Sequence, residues 1–204
     1  MTKRFSYSQL ADKINDVSLG VMTKDYTKNI WPVLMDGESK GFKFKVASLN
    51  LREMLTTDKR FVCVTISDDK FIKIFNSIDT VVSTLLDTQT EEVLTPSVTT
   101  GGRLLRLYLP QSRSGNSSLS FWDKNRNRVN IDSIDEGREI EGLVRIKYIH
   151  EYRGSVRMIW ELLQVGLTTD AEVTHRQNDY VKRDYSINDC DSDNDVLSDC
   201  DYGE

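Results

Sequence analysis

Five segments of this chain set rings and cations next to one another. They are Phe42-Lys43-Phe44-Lys45, the run from Arg103 through Arg106 to Tyr108, Phe121-Trp122 with the following Lys124, Arg126 and Arg128, the run Arg145-Ile146-Lys147-Tyr148, and Tyr152-Arg153. Single-stranded nucleic acid asks for both side-chain types. Its phosphates need Lys or Arg in a groove, and its unstacked bases need flat partners. These seventeen residues are therefore the candidate nucleic-acid contacts: Phe42, Lys43, Phe44, Lys45, Arg103, Arg106, Tyr108, Phe121, Trp122, Lys124, Arg126, Arg128, Arg145, Lys147, Tyr148, Tyr152 and Arg153. A strand aromatic is more often core than stacking platform. The repetition across five segments carries the reading, not any one ring. Phe61 and Trp160 are the aromatics expected in the core. Phe121 and Trp122 are expected to point to opposite faces, as strand neighbours do.

Other chemistries find little to work with. The sequence contains no GxGxxG, GxxxxGK[ST], GxSxG or HExxH, so the motifs of dinucleotide, phosphate, esterase and zinc-protease sites are missing. Two histidines, His150 and His175, leave little imidazole for acid–base or metal work. The reading is non-enzymatic, without cofactor or metal. Cys63 lies in the apolar run Phe61–Val64 and reads as an inert buried thiol. Cys190 and Cys200 complete an odd count with no zinc spacing, so reduced thiols are expected. Asp189, Asp191, Asp193 and Asp195 resemble the start of a calcium loop. A loop opening at Asp191 needs Gly sixth and Glu twelfth, and the chain has Val196 and Tyr202 there.

Strands must carry most of these candidates. Residues 42–46 alternate ring and lysine with the period of a strand. A second strand spans 59–66. Asp68-Asp69 opens a helix, and Phe71, Ile74, Phe75, Ile78, Val82 and Leu85 recur at three- and four-residue spacing, which predicts a helix over 69–86 with its stripe in the core. Residues 87–102 read as a Thr-rich loop, 103–109 as a strand stopped by Pro110, 112–118 as a turn, 119–122 as a short strand and 123–128 as a basic turn. A further turn lies at 135–137. Two long β-patterned runs, 140–150 and 155–165, join through Glu151-Tyr152-Arg153-Gly154 as a hairpin. Mainly β structure with one central helix and no β-α-β rhythm argues a small antiparallel barrel of the OB type. The expected organisation is an N-terminal arm or short helix over 1–30, an OB-like nucleic-acid-binding domain over 31–168, and a flexible acidic tail over 169–204.

Charge sharpens the division. The chain of 204 residues has 27 basic and 32 acidic side chains and a net charge of −5. Eight of the acids and no base fall in residues 184–204, so residues 1–183 carry 27 against 24, or +3. A mildly basic body linked to an acidic segment is unlike an evenly acidic globule. The segment has little to bury, so disorder is expected of it. No apolar run approaches the ~18 residues of a membrane span, and Met1–Ser8 lack the apolar stretch of a signal peptide. An intracellular protein with no membrane partner is expected.

Residues 40–168 resemble the single-stranded DNA-binding proteins, with OB folds, of large DNA viruses and bacteriophages. The resemblance rests on the basic-aromatic strand Phe42–Val46, the strand-then-helix Phe61–Leu86, and a closing hairpin. That hairpin has a Gly-headed strand (Gly142-Leu143-Val144-Arg145), a Tyr152-Arg153-Gly154 turn, and an apolar strand ending Gln164-Val165. The acidic segment fits the pattern. Residues 1–30 do not, nor does the ending Asp201-Tyr202-Gly203-Glu204, which lacks the aromatic-hydrophobic finish of many such tails. The resemblance implies a non-catalytic protein serving viral DNA replication or recombination, in host nucleus or cytoplasm. Single-stranded DNA, or RNA, is the expected ligand. A homo-oligomer, and basic replication proteins docked on the acidic segment, are the further partners expected. The competing reading is a virion structural or interaction protein, or a DNA mimic acting through its acidic surface.

Overall fold

The computed structural model describes residues 3–168 apart from 26–27, 36–41, 57, 88–92, 100, 102, 112–118 and 130–132. Five strands close into a ring: β1 (Phe42–Leu51), β2 (Phe61–Ile66), β3 (Leu104–Tyr108), β4 (Glu139–Tyr152) and β5 (Ser155–Leu167). The ring order is β1-β2-β3-β5-β4 and back to β1. Every neighbouring pair is antiparallel except β3 and β5, which meet in parallel at Tyr108 and Glu161. This is the mainly β, OB-like barrel expected from the sequence, with one parallel pairing where all were expected antiparallel. Closure removes exposed sheet edges from the ring.

One strand must serve two neighbours for the ring to close. β1 pairs with β4 from Lys43 to Asn50, and its end, Leu49 to Leu51, also pairs with β2 on the other side. Just before that end, Ser48 takes a left-handed φ of 55°. Between the pairs Val46–Gly142 and Leu49–Ile140, two residues of β1, Ala47 and Ser48, oppose one of β4, Glu141. The extra residue is a bulge that bends β1 around the barrel corner.

The helix over 69–86 forms as the spacing predicts. We label the N-terminal helix Tyr7–Lys13 α1 and the helix Asp69–Leu86 α2. The Asp68 carboxylate caps α2 by accepting from the Lys70 amide at 3.0 Å. Phe71, Ile74, Phe75, Ile78, Val82 and Leu86 are its buried stripe. Phe75 reaches the barrel interior, 4.7 Å from the Trp160 ring centre and 5.7 Å from that of Phe44. No helix among the described residues is long and apolar enough to cross a membrane.

The barrel is wider in sequence than 31–168. The strand Lys3–Phe5 pairs in parallel with β1. Phe5 and Leu10 join the core. A capping box closes α1, with the Gln9 amide donating to Ser6 Oγ and the Ser6 amide to Gln9 Oε1. The strand Lys28–Trp31 pairs with the far end of β4. The segment read as an arm or short helix over 1–30 does hold a short helix, α1, but its strands are only three or four residues long, too short to show a period. The stretch read as a loop over 87–102 holds two strand pieces, Leu94–Thr95 on β5 and Val98–Thr99 on β3. The expected disorder of residues 169–204 lies outside the described residues.

Candidate nucleic-acid interface

Strand alternation decides which candidates face solvent. In β2, Val62, Val64 and Ile66 fill the barrel, so Phe61, Cys63 and Thr65 face out. In β3, Leu105 and Leu107 fill it, so Leu104, Arg106 and Tyr108 face out. Register sets Phe61 opposite Tyr108 and Cys63 opposite Arg106. The result is a compact cluster. The Arg106 guanidinium lies 4.6 Å from the Phe61 ring centre, and the Tyr108 ring is 6.1 Å from Phe61, tilted by 58°. Phe61 is 37% exposed.

The cluster continues onto the hairpin of β4 and β5. Tyr108 is the cross-strand partner of Glu161, and Glu161 that of Arg145. Glu161 is only 3% exposed. Its Oε2 accepts from Arg145 Nε at 2.8 Å and lies 2.7 Å from Nη2, while Lys147 Nζ stands 3.6 Å from Oε1. Two cations thus share one carboxylate, and both remain partly exposed. Past a register shift between Ile146 and Tyr148, the outer face of β4 presents Tyr148, His150 and Tyr152 at two-residue spacing. Lys147 lies 5.9 Å from the Tyr148 ring, Arg153 5.0 Å and Lys28 6.0 Å from that of Tyr152. Arg157 is opposite His150. The hairpin turns tightly on Arg153 and Gly154, both at positive φ, as a two-residue turn of the primed type requires.

The loop between β1 and β2 borders the Phe61 end with Arg52 and Arg60, both exposed. Glu53 braces that loop. Its carboxylate pairs with Lys59 at 2.7 Å and accepts the Cys63 amide at 2.9 Å. The Lys59 contact, with help from that amide, holds the Glu53 carboxyl below the usual range against a desolvation that pushes it up.

The candidates from sequence therefore divide. Arg106, Tyr108, Arg145, Lys147, Tyr148, Tyr152 and Arg153 share the outer face just described. Phe42 and Phe44 do not: both are 0% exposed, and Phe44 stands edge-on to Trp160 at 6.0 Å. Phe121 (4%) and Trp122 (8%) are both buried, where opposite faces were expected. Their short strand Ser120–Trp122 is covered by pairing with β5 on one side and Arg128–Val129 on the other. Rings so buried offer no face to a base. Lys43 is 8% exposed, and Lys45 pairs with Glu141. Arg103 staples α2 to β2, meeting Asp69 Oδ1 at 2.9 Å and the carbonyls of Ile66 and Ser67 at 3.3 Å. Lys124, Arg126 and Arg128 are exposed on a turn beyond the Gly166 end of β5, five residues or ~17 Å of strand rise from Glu161.

Phe61 is the reverse case, a ring expected in the core that lies outside. Cys63, expected buried, is half-buried on the same outer face. The signal was present: three β-aliphatic residues at 62, 64 and 66 claim the inward face and leave 61, 63 and 65 to solvent. Among the described residues no cluster of three metal-ligating side chains occurs.

No protein-family model matches the chain, and no curated protein matches it in sequence. Solved structures do. A C-terminally truncated single-stranded DNA-binding protein from bacteriophage Enc34 is 14% identical, with a TM-score of 0.47 over 76% of this chain and 97% of that one. The untruncated protein gives 14% and 0.46 over 79% and 96%. The same protein in complex with single-stranded DNA gives 14% and 0.46 over 76% and 98%.

Proposed function

We propose that this chain binds single-stranded DNA across the outer face of β2, β3 and the β4–β5 hairpin, without reading sequence. The observation that carries the proposal is the Phe61–Arg106–Tyr108 cluster on the two barrel strands that OB folds use for oligonucleotides. An exposed phenyl ring capped by a guanidinium and flanked by a phenol is a stacking platform with its own phosphate contact. Arg145, Lys147, Arg153 and Arg157 extend the positive track toward the hairpin tip. Tyr148 and Tyr152 add further rings. Binding follows from two terms: cations release counterions condensed on the strand, and rings take up bases released from self-stacking. Neither term depends on base identity.

The finer part of the proposal is the setting. A protein that covers single strands regardless of sequence suits the replication or recombination of a viral genome, wherever in the host nucleus or cytoplasm that genome is copied. The test is fluorescence anisotropy with labelled oligo-dT at low and high salt, with oligo-rU and duplex DNA as competitors. Single strands are expected to bind more tightly than duplex, with affinity falling as salt rises. Binding that ignores salt, or that is absent with every oligonucleotide, overturns the proposal.

A further inference from the structure

A second concave surface lies at the other end of the same row of side chains. Cross-strand partners run Phe61, Tyr108, Glu161, Arg145, Lys43 and Arg4, one residue from each of six adjacent strands. Cross-strand partners point to the same side of a sheet, here the outside of the barrel, so the row runs round it, ~24 Å along the curved surface at five strand spacings of ~4.8 Å. It ends where Arg4 and Tyr7 flank a surface cavity of about 530 Å³. Lys45 and Glu141 line the cavity from β1 and β4, and Phe71 from α2. Tyr7 is 37% exposed, and its ring meets that of Phe71 edge-on at 5.8 Å. The Lys70 ammonium sits 5.8 Å from the Tyr7 ring centre and 4.9 Å from that of Phe71.

We infer that this cavity is a terminal nucleotide subsite, which takes one base and its phosphate from a strand already bound on the outer face. The inference rests on the single-strand reading above. The cavity combines the two features a nucleotide needs: an exposed ring, Tyr7, with the Lys70 ammonium (itself paired with Asp68 at 2.7 Å) beside it, and a rim where Arg4 adds positive charge to the Lys45–Glu141 pair. The Lys45–Glu141 pair also supplies donor and acceptor groups side by side for a base edge. Lys43 is nearly covered at the step between, so the strand reaches the cavity from Arg145 across the Arg4 guanidinium. The N-terminal elements, which the sequence pattern leaves without a role, thus lengthen the footprint of the barrel.

The experiment compares oligo-dT of about 6 and about 20 nucleotides, chosen against the ~4–16 nucleotides such a barrel occupies. Wild type, Tyr7→Ala, Arg4→Ala and Phe61→Ala are titrated with each, and dTMP is added as a competitor. Arg4 is exposed, so its variant keeps the fold if Tyr7→Ala does not. Tyr7→Ala and Arg4→Ala are each expected to weaken the longer oligonucleotide about tenfold, the loss of one stacked or phosphate-bound nucleotide, and to leave the shorter one unchanged. Phe61→Ala is expected to weaken both. No loss on the longer strand, or equal loss on both lengths, overturns the subsite while the outer-face reading stands. The same holds if dTMP fills the cavity without changing the length dependence, which assigns it to free nucleotides. Failure of wild type to bind either oligonucleotide overturns both readings.

Discussion

Phe61 and Phe44 are the same residue type on neighbouring strands, and the barrel gives them opposite work. Phe61 shows an exposed ring to Arg106, and its removal leaves no cavity in the core. Phe61→Ala is expected to weaken oligo-dT binding by ~1–3 kcal/mol while shifting stability by no more than ~0.5 kcal/mol. Anisotropy and thermal unfolding monitored by circular dichroism separate the two effects. Phe44→Ala empties a site between Phe75 and Trp160 and is expected to cost ~3–5 kcal/mol of stability. A Phe44→Ala variant that melts like wild type but binds poorly would return that ring to the interface. Glu161 is a carboxylate set between two cations of the outer face, and it holds Arg145 and Lys147 in place while cancelling one of their charges. In Glu161→Gln the positive field at the centre of the track rises. Affinity is expected to increase a few-fold at low salt, with a steeper salt dependence by roughly 0.7 in the log–log slope, as one more cation acts on phosphate. Unchanged or weaker binding would mean that Glu161 matters chiefly as a positioning group for Arg145.

At the scale of elements, the barrel closes only because β1 bends at Ser48 and β4 lets it come close at Gly142. A Cβ at Gly142 would meet Leu49 Cδ1 at 2.8 Å and Leu162 Cδ1 at 2.9 Å. Both leucines are fully buried. Gly142→Ala is therefore expected to destabilise by ~1–3 kcal/mol, as overpacking does, read as a lower denaturation midpoint. The helix is tied to the barrel by a polar clamp. Asp79 on α2 accepts from the Ser97 amide at 2.8 Å and from its hydroxyl at 2.5 Å, and that hydroxyl accepts from Trp160 Nε1 at 2.8 Å. Burial raises the Asp79 pKa from 3.8 to about 6, against the two Ser97 hydrogen bonds. The folded state thus holds the Asp79 proton more tightly than the unfolded chain. The associated stability is complete below pH ~4 and is lost as pH rises through ~6, a loss of up to ~3 kcal/mol at 1.36 kcal/mol per pH unit. Measured against Asp79→Asn, which cannot titrate, wild type is expected to lose ground between pH 4 and 7; a constant difference refutes the assignment. Long periodic elements were legible in the sequence: α2 by its stripe, the hairpin by its two apolar runs and Gly154. Most pieces of two or three residues were not, the strand Ser120–Trp122 excepted, because they form only against partners distant in sequence, as Lys3–Phe5 does on β1 and Val17–Leu19 on Val33–Met35. The site was half legible for a related reason. Alternation tells which residues share a face, but in β1 the rings of Phe42 and Phe44 look as usable as the lysines until the barrel closes over them and α2 packs Phe75 against Phe44.

For the whole molecule, charge asymmetry is the dominant feature. Residues 1–183 carry +3 and residues 184–204 carry −8. The chain leaves β5 at Leu167, and at ~3.3–3.6 Å per extended residue the link from there to Asp184 spans up to ~60 Å. That exceeds the ~24 Å row from Phe61 to Arg4, so the anionic segment is long enough to reach every cation of the outer face. A tethered anion of this kind acts at an effective concentration on the order of millimolar. It is expected to compete with a DNA strand for Arg106, Arg145 and Lys147 even where each contact is weak. Both the competition and the binding are ionic, so both fade with salt at different rates: eight carboxylates against the few phosphates under the track. A chain ending at Arg183 is therefore expected to bind oligo-dT more tightly than the full chain at low salt, with the two curves converging as salt rises. Anisotropy titrations of both forms across a salt series make the comparison. Equal affinity at every salt concentration rules out competition for the track and leaves the segment free to dock basic partners. Weaker binding by the shortened chain would mean that the acidic residues support the interface instead of screening it.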